Sequence, residues 1–147
     1  MTSRSATPAT HEDAKLLLQL YEMRREPRLR EARRWFAASF RATTVAELMS
    51  LCPPGSEENA SYRMVTSYWE LVASFITSGV LNQELFFQSG RELLFCWTRL
   101  RDLVPHLREQ NKNPLEWKNL ELVATAYIDW WNANAPGAYD AFRARIR

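Results

Sequence analysis

Between Ser56 and Gly79 the apolar residues Tyr62, Val65, Trp69, Val72, Phe75 and Ile76 recur at intervals of mostly three and four. That interval returns side chains to one face of an α-helix and to neither face of a strand. The same spacing reappears in Leu16, Leu17, Leu20 and Tyr21, in Leu29, Ala32, Phe36 and Phe40, and in Leu93, Trp97, Leu100, Val104 and Leu107. Between the turn signals no run of four or more residues alternates apolar with polar, so no strand is expected. The pattern predicts an all-α fold, a compact up-down bundle of five to seven helices, with its core formed by helices at about 56–79, 91–110 and 114–133.

Caps and breakers place the helix boundaries. Thr10 with Asp13, Thr44 with Glu47, and Ser89 with Glu92 have the spacing of capping boxes, in which a hydroxyl and an acid three residues on satisfy each other's backbone N–H. Asn82 is placed to cap a short helix through Phe87. Asn113, Pro114 and Glu116 together form a start signal for the last long helix, which should run to about Ala133. Pro27 ends the first helix or opens the second, and Pro53, Pro54 and Gly55 stop the third. Pro105 either kinks the helix carrying Trp97 or divides it in two, because it removes a donor and crowds the carbonyl of Arg101. Pro136 and Gly137 set off a short C-terminal helix bearing Tyr139, Phe142 and Ile146. The reading is a polar tail over 1–9 and a single domain over 10–147, a length at which one core suffices without staples.

The first residues lack the apolar core of a secretory signal, and the longest nearly uninterrupted apolar stretch, Leu71 to Ile76 with Ser74 inside it, is far short of the roughly 20 residues a membrane span needs. A cytoplasmic chain with no transmembrane segment is expected. Cys52 and Cys96, without CxxC spacing, read as reduced thiols and neither as a disulfide framework nor as a metal knuckle. His11 and His106 are the only histidines, and no pair of them sits at ligand spacing, so no metal site is expected. The four glycines form no phosphate-cradling loop, so no nucleotide cofactor is expected either.

Three constellations remain. Residues 24–34 hold six arginines, Arg24, Arg25, Arg28, Arg30, Arg33 and Arg34, against Glu26 and Glu31, a local excess of positive charge in a chain whose net charge is +2. Such a segment suits phosphates of a nucleic acid, but the interleaved glutamates favour a solvated face laced by intrahelical pairs. Glu70 and Glu121 are the carboxylates to weigh as a helix-borne base. Glu121 should lie half-buried and pair with Arg108 or Arg101, whereas Glu70 should face solvent. Finally, aromatics stand side by side at Trp35–Phe36, Tyr68–Trp69, Phe86–Phe87 and Trp130–Trp131. Neighbours on a helix diverge by about 100°, so either these helices bury wide faces or one member of each pair is exposed. Trp130 and Trp131 are the candidates for an interface with a second copy or a protein partner.

The runs SYWELVASFITSGVLNQELF, LLFCWTRLRDLVPHLRE and PLEWKNLELVA, with Tyr68, Trp69, Glu70, Gly79, Glu84, Trp97, Arg108 and Glu121 at the matching positions, resemble a family of small bacterial helical proteins described only as a domain of unknown function. The resemblance covers about residues 60–125. Members of that family often carry hydrophobic N-terminal helices, from which this sequence departs. The resemblance implies a helical fold and no activity, and it favours Arg108 with Glu121 as a structural ion pair. The function expected is a non-enzymatic interaction or regulatory module; the alternatives are a nucleic-acid-binding protein using residues 24–34 and a hydrolase-like enzyme with a helix-borne carboxylate.

Overall fold

The computed structural model describes residues 7–146. Of the polar tail expected over 1–9, residues 1–6 lie outside the described residues, and Thr7 is tied down by the Asn82 side-chain amide, which donates to its carbonyl at 2.8 Å. The described residues fold into nine helices and no strand: α1 (His11–Arg24), α2 (Pro27–Ser39), α3 (Val45–Leu51), α4 (Glu57–Thr77), α5 (Gln83–Phe87), α6 (Arg91–Leu100), α7 (Val104–Gln110), α8 (Lys118–Asn134) and α9 (Ala138–Ile146). The all-α fold is as expected. The count exceeds the expected five to seven because several helices are single connecting pieces of one or two turns, α3, α5 and α7 among them. No described helix is long and apolar enough to cross a membrane.

The 21-residue α4 is the axis of the molecule, packed against α2 on one side and α8 on another, with α6 also touching it and α9 lying on α6 and α8. This explains the adjacent aromatics. A helix gripped from two sides buries a wide face, so both Tyr68 and Trp69 are inside, and Phe86 and Phe87 are likewise both buried. Phe36, Phe40 and Tyr62 stack in series, at 4.6 and 5.4 Å between ring centroids, and lock α2 onto α4. Trp130 and Trp131 are half-buried against Phe87, Tyr127 and Phe142. Each therefore packs within the chain and keeps part of its surface exposed.

Several helix ends depart from expectation for identifiable reasons. Pro105 falls in the first turn of α7, where no N–H is needed, so it separates two helices. Asn113 caps only a turn, accepting the Leu115 N–H at 3.0 Å, and α8 begins later, after Trp117 in the left-handed conformation with φ +57°. The cap for α8 comes from another helix: Glu70 of α4 accepts the N–H of Leu120 at 2.9 Å. At α6 the expected Ser89–Glu92 box is absent. Gly90 is the N-cap, without a side-chain cap bond, and a Cβ there would stand 2.3 Å from the ring of Phe86. A close aromatic neighbour, and not a left-handed backbone, requires glycine at this position.

Candidate functional site: an arginine-walled groove along one helix

The arginine-rich segment 24–34 is two helix ends and a turn. α1 stops at Arg24, Pro27 opens α2, and the Glu26 carboxylate accepts the N–H of Leu29 at 2.8 Å. Glu26 is thus a cap and laces nothing, while Glu31 reaches Arg28 only at 3.7 Å. The principal carboxylate partner of this segment comes from elsewhere. Glu92, released from its expected capping role, receives Arg33 through Nε at 2.6 Å and Nη2 at 2.7 Å, and Arg24 through Nη1 at 2.9 Å. This fork binds α6 to the junction of α1 and α2, and it holds the Arg33 guanidinium above its ordinary pKa against the opposing effect of burial. Arg24 also lies over the rings of Tyr21 and Trp69, at 4.9 and 5.5 Å. Arg28 meets Glu57 at 2.8 Å and Arg25 meets Glu22 at 3.4 Å. Of the six arginines, only Arg30 and Arg34 have no carboxylate partner among the described residues.

Those two stand on the rim of a cavity of about 500 Å³ between α2 and α6. Arg91, exposed and also without a carboxylate partner among the described residues, completes the rim from α6. The floor is apolar: buried Phe36, Val65, Trp69 and Cys96, with half-buried Phe95 and Phe142 at the sides. The Arg33–Glu92 pair closes one wall. Burial pushes the Cys96 thiol far up, so it remains protonated at neutral pH. The Trp69 Nε1 is buried and finds no acceptor among the described residues.

A second cavity, of about 410 Å³, opens at the other end of α6 and carries Arg41, Arg99, Arg101 and Arg143 with Asp102. Here two of the four arginines serve helix ends. Arg99 donates through Nη1 to the carbonyls of Phe40 at 2.7 Å and Ala37 at 3.3 Å, and through Nη2 to that of Ile146 at 2.9 Å, so it ties the C-termini of α2 and α9 together. Arg41 donates to the Ala38 carbonyl at 2.8 Å. Helix C-termini present unpaired carbonyls and the negative end of the dipole, which is where arginine is stabilising. Burial, with Arg41 beside it, pulls the Arg99 pKa below its usual value. The two cavities adjoin, since the Arg99 guanidinium lies 4.7 Å from the centre of the Phe95 ring.

The remaining candidates lie around the start of α8. Arg108 Nη2 is 3.3 Å from Glu121 Oε1, and Arg108 Nε donates to the Glu116 carbonyl at 2.8 Å. Burial works against ionisation of Glu121, but its hydrogen bonds from Arg108 and Lys118 outweigh that and hold its carboxyl below the usual range. Glu70, expected in solvent, is half-buried. Its Oε1 caps α8 and its Oε2 is buried without a partner among the described residues, so burial raises its pKa. Arg101 is exposed and faces the second cavity. Among the described residues no group of three His, Cys, Asp or Glu is placed to hold a metal ion.

Reasoning on the sequence missed Arg91, Arg99 and the role of Glu92. A signal was present: Arg91, Phe95 and Arg99 recur every four residues, on a face of α6 distinct from the core stripe of Leu93, Trp97 and Leu100. In comparisons with known proteins, the family model described as a domain of unknown function, DUF4760, matches residues 9–143. No curated protein and no solved structure matches the chain.

Proposed function

We propose that this chain, which belongs to the DUF4760 family, is a non-enzymatic recognition module whose binding site is the groove rimmed by Arg30, Arg34 and Arg91 and which takes an anionic partner. The observation that carries this reading is three arginines without carboxylate partners among the described residues, around an apolar cavity of about 500 Å³. Convergent charged groups over a concave apolar floor are the usual form of a ligand site. Of the reactive groups, Glu92 is held by two arginines, Cys96 stays a thiol and Glu121 is bonded to Arg108, while Glu70, with one oxygen on a helix end and the other unpartnered among the described residues, does not line the groove. That favours binding over acid–base or nucleophilic chemistry.

Nucleic-acid binding through the whole 24–34 segment is the weaker reading, because Arg24, Arg25, Arg28 and Arg33 each lie within 4 Å of a carboxylate. The test is a titration of the ¹⁵N-labelled chain with hexaglutamate, a single-stranded oligothymidylate and 1-naphthaleneacetate. Backbone amide shifts should concentrate at Arg30, Arg34, Arg91 and Phe95 with at least one of them. Shifts centred on Arg25 and Arg28, or none, would reject the groove.

A further inference from the structure

We infer that the partner in this groove is a small organic monoanion with an apolar body, an aryl or medium-chain carboxylate in its chemistry; the inference rests on the recognition reading above. Two features of the site select that class. The cavity, about 500 Å³, lies within the range of roughly 300–1,000 Å³ typical of small-ligand sites. Its floor is aromatic and aliphatic, with charge at the rim and in the mutually paired Arg33–Glu92 wall, so a ligand that fills it must place an apolar body on Phe36, Phe95 and Phe142 and an anionic head among Arg30, Arg34 and Arg91. A neutral apolar ligand would leave the guanidinium groups unengaged, and a nucleic-acid backbone would leave the floor exposed to water. The Glu92 carboxylate in one wall is already taken up by Arg24 and Arg33, so it leaves the positive charge of the rim for the ligand.

The experiment is isothermal titration calorimetry of the full chain with decanoate and 1-naphthaleneacetate, each beside its neutral amide, decanamide or 1-naphthaleneacetamide, and with hexaglutamate and oligothymidylate as polyanions. Each carboxylate should bind at least about tenfold more tightly than its amide, because a charge-assisted bidentate contact is lost in the amide. Changing Arg30, Arg34 and Arg91 together to Gln should bring the carboxylates down to the amide level. Ala37→Glu is the companion variant. It alters an exposed position lining the groove, leaves the packed floor in place, and should reject the carboxylates by adding a second acid. Carboxylates that bind no better than their amides, or that are indifferent to both variants, overturn the inference. If hexaglutamate or oligothymidylate binds through the three arginines and the carboxylates do not, the ligand class is wrong and the recognition module stands. If no probe binds, both are wrong.

Discussion

The two ends of α6 carry arginine clusters of similar size that do opposite work. At the C-terminal end Arg99 and Arg41 are turned inward, onto the carbonyls where α2 and α9 finish. At the N-terminal end Arg30, Arg34 and Arg91 stand on the rim of an apolar groove with no acid to meet them among the described residues. The difference follows from the helices themselves. Where helices end, exposed carbonyls absorb guanidinium donors and the dipole is negative. Where α6 begins, the backbone offers donors and a positive end, so arginines there add to a field that an anion relieves, the Arg24 carbonyl at the end of α1 already accepting from Arg33. Glu92 supplies one such anion, and Arg24 and Arg33 take it up. Local concentration of arginine is therefore a poor guide to binding; what separates the clusters is the direction of the neighbouring helix ends.

The strongest way to break this comparison is to remove the one anion. Glu92→Gln leaves two partly buried guanidinium groups facing each other, with side-chain exposures of 15% for Arg24 and 24% for Arg33, and should cost about 3 kcal/mol in urea unfolding. A loss below about 1 kcal/mol would mean that solvent already screens the fork. Next is Arg99→Ala, which frees carbonyls at the ends of α2 and α9 and should cost about 2 kcal/mol. Arg99→Lys should restore less than half of that, because a single ammonium cannot span carbonyls that the planar fork reaches from two sides. Full restoration by lysine would reduce the cluster at this end to a charge effect and erase its contrast with the other.

A smaller effect is expected at Arg108 and Glu121, with side-chain exposures of 19% and 31%: Arg108→Ala should cost about 1 kcal/mol at neutral pH. The pH dependence has a definite sign. The folded chain holds the Glu121 carboxyl below its usual range, so the pair's contribution is present above the ordinary carboxylate pKa and is lost as pH falls through the lowered value. The gap in stability between wild type and Arg108→Ala should narrow on acidification. Glu70 works in the other direction. Burial raises its pKa, so its proton favours the folded state as pH falls through that raised value, and Glu70→Gln should make the acid limb of the stability curve steeper.

Fold class was legible because helical periodicity and its punctuation are local. The stripe from Tyr62 to Ile76 became α4, and the Thr10–Asp13 box formed as spaced. Glycine did its part after α4, where Gly79 takes φ +81°. What failed were signals with two possible customers. Asn113 and Pro114 read as a helix start, yet Arg108 and Asn111 hold Glu116 and keep that stretch a turn. Glu92 read as a capping acid, yet two arginines distant in sequence outcompete a single N–H. The groove was hidden for the same reason. Its rim joins Arg30 and Arg34 to Arg91 across some sixty residues of chain, and only the packing of both α2 and α6 on α4 brings them to one groove. Glu70 shows the converse error, since its burial is decided by α8, whose Leu120 N–H it meets fifty positions later.

The smallest expected effect is the most informative about the groove. Changing Arg30, Arg34 and Arg91 together to Gln removes three positive charges that form no ion pair among the described residues, so stability at about 0.15 M salt should move by no more than about 0.5 kcal/mol. At low salt the variant should be slightly more stable than the wild type, because like charges on one rim repel and their mutual repulsion is then unscreened. The same three-residue neutralisation at the far end of α6, in Arg41, Arg99 and Arg143, should destabilise at every salt concentration, since carbonyl contacts at helix ends are lost with the charge. A rim variant that loses more than about 1 kcal/mol would show that its arginines hold the fold together, and a groove whose charges are already committed has none to offer an anion.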